Sequence, residues 1–161
     1  MDFELLLENI SVLKKQYQLI DFNFDTECIY GLGDLSYLLK NIIENTIPEF
    51  GIRISEVYNE SENKFIATLA NKFHEMKIIT DAHTDWLPDY FFVDLENIPV
   101  VFETDKRYYC INPAIGLTGQ DAWYFCGSEA NLKEARARGI PLVFPGENIT
   151  ETKEYKELYG L

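Results

Sequence analysis

Val100-Val-Phe-Glu-Thr-Asp-Lys-Arg-Tyr-Tyr-Cys-Ile111 is the stretch on which the fold turns. Val100 to Thr104 and Arg107 to Ile111 are rich in β-branched and aromatic residues, the types that suit a pleated, half-buried surface. Only Asp105-Lys106 lies between them, a two-residue link that predicts a tight hairpin and therefore antiparallel pairing. Tyr90 to Leu95 has the same composition and reads as a further strand. Asn112-Pro113 closes the unit on its far side.

Downstream, Ala122 to Cys126 reads as a strand, followed by a well-marked helix. Ser128 is a good N-cap and Glu129 lies in the first turn. Arg136 and Arg138 lie in the last turn, where cations favour the helix dipole. Gly139 fits the position just past the end, with Pro141 after it. Leu142 to Phe144 then forms a strand. If this strand and Ala122–Cys126 run parallel in one sheet, a right-handed crossover is expected. A short helix over about 151–159 ends the chain.

Upstream, Phe3, Leu6, Leu7, Ile10, Leu13 and Tyr17 recur at helical spacing and predict a helix over 2–18. Asp21, Asn23 and Asp25 read as a loop. A second helix starts at Gly31-Leu-Gly-Asp34, with Asp34 as N-cap and Leu35, Leu38, Leu39, Ile42 and Ile43 as its buried stripe; Pro48 and Gly51 end it. Ile52 to Val57 alternates as a strand. Asn59-Glu-Ser61 is a turn, and Ser61 is placed to cap a third helix with Phe65, Ile66, Leu69, Phe73 and Met76 on its apolar face. Residues 77–80 form a short strand. Together these elements predict an α+β fold with some α/β-like alternation. The expectation is a mixed or antiparallel central sheet with helices packed mainly on one face, in a single globular domain over 1–161. A doubly wound nucleotide fold is disfavoured, because no glycine-rich phosphate loop follows a strand; the Gly31-Leu-Gly33 pair lacks a third glycine.

Charge narrows the function. The 161 residues carry 27 acids against 14 bases, a formal net charge of -13. Phosphate backbones and anionic membranes repel such a chain. Nucleic acid and membrane partners are therefore not expected; the best basic cluster is only Lys133, Arg136 and Arg138. A basic protein is the partner that suits this field. The odd count of three cysteines, Cys28, Cys110 and Cys126, with no C-x-x-C pair, points to a reducing compartment. With no leader-like N-terminus and no long apolar run, the cytoplasm is the expected location.

Three groups of residues could carry function. The first is diffuse. From Ile78 to Asp105 there is no Lys or Arg, yet there are seven acids. Asp81, Asp85, Asp89, Asp94, Glu96, Glu103 and Asp105, interleaved with Trp86 and Tyr90, would make a desolvatable aromatic face ringed by carboxylates, suited to a basic protein. The same text also describes a strand pair with one core face and one wet face. On the first reading the chain is a small acidic binding module without catalysis or cofactor, of the kind that inhibits a basic toxin. An alternative is a structural or regulatory subunit that forms a homodimer.

The second group is Asp81-Ala-His83-Thr-Asp85. If the stretch is extended, residues two apart share a face, and two carboxylates with an imidazole make a first shell for Mn²⁺, Fe²⁺ or Zn²⁺. These five residues resemble the D-A-H-x-D metal motif of the ureohydrolases, the arginase and agmatinase family. That resemblance implies a two-manganese hydrolase in which Asp81, His83 and Asp85 are ligands. The family's G-G-D-H motif and its downstream paired aspartates have no counterpart here. The third group is Cys126 at a strand–helix junction, where a helix N-terminus lowers a thiol pKa, with His74 or His83 as the available bases. A small buried thiol fits the same position.

Overall fold

The computed structural model describes residues 2–161. In chain order the elements are α1 (Phe3–Gln16), β1 (Ile20–Asp25), α2 (Asp34–Thr46), β2 (Arg53–Asn59), β3 (Lys64–Ala70), β4 (Glu75–Asp81), α3 (Asp89–Val101), β5 (Arg107–Ile111), β6 (Asp121–Gly127), α4 (Glu129–Ala137), β7 (Leu142–Val143) and α5 (Lys153–Leu158). The fold is α+β, with antiparallel pairing divided between a four-stranded sheet ordered β1-β6-β5-β7 and a three-stranded sheet ordered β2-β3-β4. The chain divides into two compact units. One comprises residues 2–24 and 105–161, the other residues 25–104.

In the first unit, Asp2 caps α1 by accepting the Leu5 N–H at 3.1 Å. Ile10 and Leu13 of α1 are buried with Tyr109, Ile111, Phe125, Leu132, Ala135 and Leu142, so α1 and α4 share one core with the sheet. The opposite sheet face carries rings: Phe22 stacks on Tyr124 at 5.4 Å and meets Tyr108 edge-on at 5.2 Å. These rings explain why residues 20–25 form a strand and not the expected loop. Phe22 and Phe24 are buried at alternate positions while Asn23 and Asp25 face water, and that period of two overrides the turn-forming Asp and Asn types. The strand–helix–strand piece matches its sequence. Ser128 accepts the Asn131 N–H, and Gly139 takes φ +128° after the helix. β6 and β7 both pair antiparallel with β5, which lies between them, so they run parallel to each other in one sheet.

In the second unit, two expectations are corrected. The third helix expected after Ser61 is instead strand β3, hairpinned to β2 and β4. Lys64 to Ala70 buries Phe65, Ala67 and Leu69 and leaves Ile66 and Thr68 on the other face. The turn is fixed by Asn59, whose side chain accepts from the Ser61 hydroxyl and the Glu62 N–H, and by Asn63 at φ +53°. Conversely, the strands expected at 90–95 and 100–104, and the hairpin they imply, are replaced by α3. Phe91, Leu95 and Ile98 are buried at helical spacing, with Phe102 one turn beyond, and together they outweigh β-prone composition. Of that hairpin only β5 is a strand, and it pairs with β6 and β7.

Candidate functional site

The loop between β1 and α2 is tied to the segment that leaves β4. Cys28 and Ile29 both donate their N–H to the Asp85 carbonyl at 3.0 Å, and Leu87 donates to the Thr26 carbonyl at 2.9 Å. Glu27 and Trp86 form an isolated antiparallel bridge between them. Within the loop, Asp25 accepts the Glu27 N–H at 2.8 Å. Asp34 accepts the N–H groups of Tyr30 and Gly31 at 2.8 and 3.0 Å, so it closes the loop rather than capping α2. The cap of α2 comes from another strand, since the Glu56 carboxylate accepts from Gly33 and Ser36 at 2.7 Å each. Two carboxylates thus occupy the Gly31 and Gly33 N–H groups, the glycine donors that a phosphate cradle would use.

This framework holds large apolar side chains out in water. Tyr30 is 68% exposed, Leu32 61% and Trp86 45%. The Tyr30 hydroxyl turns back to donate to the Glu27 carbonyl at 3.1 Å. Desolvation of that hydroxyl pushes its pKa above the usual range, and the negative fields of Glu27, Asp25 and Asp85 add to the shift. Cys28 is pushed up to about 11, first by burial and then by Asp25 and Asp34. All these neighbours raise the two pKa values, so the local field is negative, and Asp25, Glu27, Asp34 and Asp85 make it.

The residues expected to form one acidic face are distributed as follows. Asp85 and Trp86 belong to the patch just described. Asp81, at the end of β4, is paired with Lys64 of β3 and accepts from the Tyr90 hydroxyl at 3.1 Å. The Lys64 and Tyr90 donors hold the Asp81 carboxyl below its usual range against the opposing effect of burial. Asp89 is exposed in the first turn of α3. Asp94 and Glu96 are two residues apart on the same helix, about 200° around its axis, and so flank opposite sides of its exposed stripe. Burial raises both, Glu96 to about 7. Glu103 is exposed with φ +56° and lies 3.5 Å from the His74 imidazole. Asp105 belongs to the other unit.

The metal ligands expected from the sequence are not grouped among the described residues. His83 and Asp85 are exposed in the turn after β4 while Asp81 faces Lys64. Among the described residues no three His, Cys, Asp or Glu side chains are grouped to hold one metal ion. Cys126 is buried within β6. The basic cluster is largely consumed internally: Lys133 lies 3.2 Å from Glu129, and Arg136 makes a two-pronged pair with Glu147 at 2.5 and 2.8 Å. Among the described residues no helix is long and apolar enough to cross a membrane.

Asp25, Glu27, Tyr30 and Asp34 are the site residues that sequence reading missed. Their signal was present: residues 16–39 contain four acids and no Lys or Arg, a second base-free run like the one after Ile78. Neither a protein-family model, nor a curated protein, nor a solved structure matches this chain.

Proposed function

We propose that the chain is a protein-binding module without catalysis, whose acidic, aromatic patch at residues 25–34 and 85–86 takes a basic protein, in the manner of an immunity-type inhibitor. The observation that carries this reading is Tyr30. Its ring is exposed, and its neighbours Glu27, Asp25 and Asp85 are all acidic. An aromatic ring in a negative field suits an arginine or lysine side chain, which gains both the ring face and the carboxylates. The backbone hydrogen bonds that fix the loop to Asp85 and Leu87 pre-organise it, and so lower the entropy cost of docking. A compact acidic field also speeds encounter with a basic surface.

Trp86 supplies the assay. Titration with an arginine-rich nonapeptide, followed by tryptophan fluorescence, is expected to saturate at low salt and weaken as salt rises toward the physiological range and beyond. The combined variant Tyr30→Ala with Asp85→Asn is expected to bind about tenfold more weakly, a loss of about 1.4 kcal/mol. A control that removes two acids of the β2–β3 turn, Glu60→Gln with Glu62→Gln, leaves affinity nearly unchanged. Equal losses in the two variants would mean that only net charge is being read, and would end the proposal.

A further inference from the structure

A second surface of the 25–104 unit has the opposite chemistry. α2 and β2 lie side by side and run in opposite directions: Glu56 reaches Gly33 and Ser36, while Lys40, Ile43 and Glu44 line a cleft with Ile52, Arg53 and Ile54. The lengths agree. Helix residues 33 to 44 rise about 16 Å, and strand residues 56 to 52 span about 14 Å. Between them runs a groove with two adjoining hollows of about 300 and 260 Å³, the second reaching Ser36 and Tyr37.

One wall of this groove is an unpaired sheet edge. Among the described residues β2 is the end strand of its sheet and pairs only with β3. Among the described residues no loop backbone hydrogen-bonds to residues 53–59. Alternate N–H and C=O groups of β2 therefore point outward with no backbone partner, a template for one more strand. The other wall and the floor supply side-chain recognition. Ile43 is buried beneath the groove, Ile52 and Ile54 are half-buried along it, and Tyr37 stands 70% exposed on the rim. Lys40 lines both hollows and Arg53 lines one. Against them stands Glu44, 3.9 Å from Lys40 in an exposed pair of little strength. Glu56 is engaged by the Gly33 and Ser36 N–H groups at the far end, so among the side chains that line the hollows two cations face one carboxylate.

We propose that the groove takes an extended peptide segment, laid as a fourth strand on β2, with an Asp or Glu side chain at its centre between β-branched neighbours. Backbone pairing along β2 gives the affinity, and the alternate side chains read the hollows. The acid belongs at the centre because Lys40 is common to both hollows. The groove's length fits four or five extended residues.

The test uses the full chain, isotopically labelled, titrated with the end-blocked pentapeptide Val-Thr-Glu-Val-Thr and with its Lys-centred counterpart. Blocking the ends removes a terminal carboxylate as the source of the signal. The Glu-centred peptide is expected to shift amides of residues 33–44 and 52–56, to slow hydrogen exchange at alternate β2 amides, and to bind at least tenfold more tightly than the Lys-centred peptide. Lys40→Glu with Arg53→Glu, both exposed positions, is expected to reverse that preference while the remaining amide spectrum stays in place. The proposal is overturned if millimolar Glu-centred peptide leaves these amides unmoved, if the shifts fall on β4 instead, or if the two peptides bind equally.

Discussion

The carboxylate of Glu56, on strand β2, accepts the backbone N–H of Ser36 at 2.7 Å and so caps a helix that begins twenty-two residues earlier in the chain, at Asp34. Its other oxygen takes the Gly33 N–H. A helix N-terminus leaves unsatisfied donors with a partial positive charge, and most helices answer with a side chain at the cap position. Gly33 has no side chain to offer, and it takes φ +104°. The strand supplies the carboxylate instead, which ties the start of α2 to β2.

Removing that carboxylate should be costly for its position. Glu56→Ala is expected to destabilise the chain by about 1–3 kcal/mol, because it strands two N–H groups and loses a charge-assisted pair. Thermal unfolding against Glu60→Ala, an exposed turn residue, gives the comparison. Equal melting temperatures would show that water replaces the cap without penalty.

Glu96 gives a pH signature. Burial raises its folded pKa from 4.5 to about 7, so the folded state holds a proton that the unfolded state releases earlier. The sign follows: the contribution of Glu96 to stability is greatest below about pH 4.5, falls as pH rises through this window, and levels off above pH 7. The ceiling on this effect is about 3 kcal/mol. Glu96→Gln, which cannot ionise, should match the wild type at the acid end and exceed it at pH 8. Denaturant midpoints for the two chains that stay parallel from pH 5 to 8 would rule this out.

Gly127 is held small by packing. A Cβ there would lie 2.5 Å from Leu19 Cδ2, and Leu19 is itself buried. Gly127→Ala should cost about 1–3 kcal/mol as an overpacked core. Adding Leu19→Ala, which removes the clashing methyl, should cost less than the two single changes combined, as interacting neighbours do. Strict additivity in chemical denaturation would place the strain elsewhere.

Cys28 should be a sluggish thiol. With its pKa pushed up to about 11 by burial, Asp25 and Asp34, its thiolate fraction at pH 8 is small. Alkylation by iodoacetamide, followed at that site by peptide mass spectrometry, should run about a hundredfold slower than for a free cysteine. Asp25→Asn should speed it. A rate at pH 8 equal to that of free cysteine would contradict the negative field assigned to this loop.

How far the sequence disclosed this molecule differs from segment to segment. α1 was readable from its apolar stripe and α4 from its punctuation, Ser128 at the start and Gly139 past the end. Lys64 to Ala70 was not, since Phe65 and Leu69 fit a helix turn as well as one face of a strand; the hairpin pairing with β2 decided it. α3 was hidden by its own composition, as Tyr, Phe and Val favour strands while their tertiary partners demanded a helix. The α+β class was reached through a hairpin at 100–111 that does not exist, and it holds because antiparallel pairing occurs elsewhere. At the candidate site, Asp85 and Trp86 were legible as acids and aromatics in a base-free run. Their meeting with Tyr30, more than fifty residues away, depends on backbone hydrogen bonds that no local pattern announces.

Chemical-shift mapping of the full chain with the arginine-rich nonapeptide locates the surface that a basic partner takes. Perturbed amides and side chains are expected to cluster at residues 25–34 and 84–87, with the Trp86 indole among the largest shifts. Perturbations spread evenly over Glu60, Glu62, Glu129 and the other surface acids, with Tyr30 and Trp86 unmoved, would contradict that expectation.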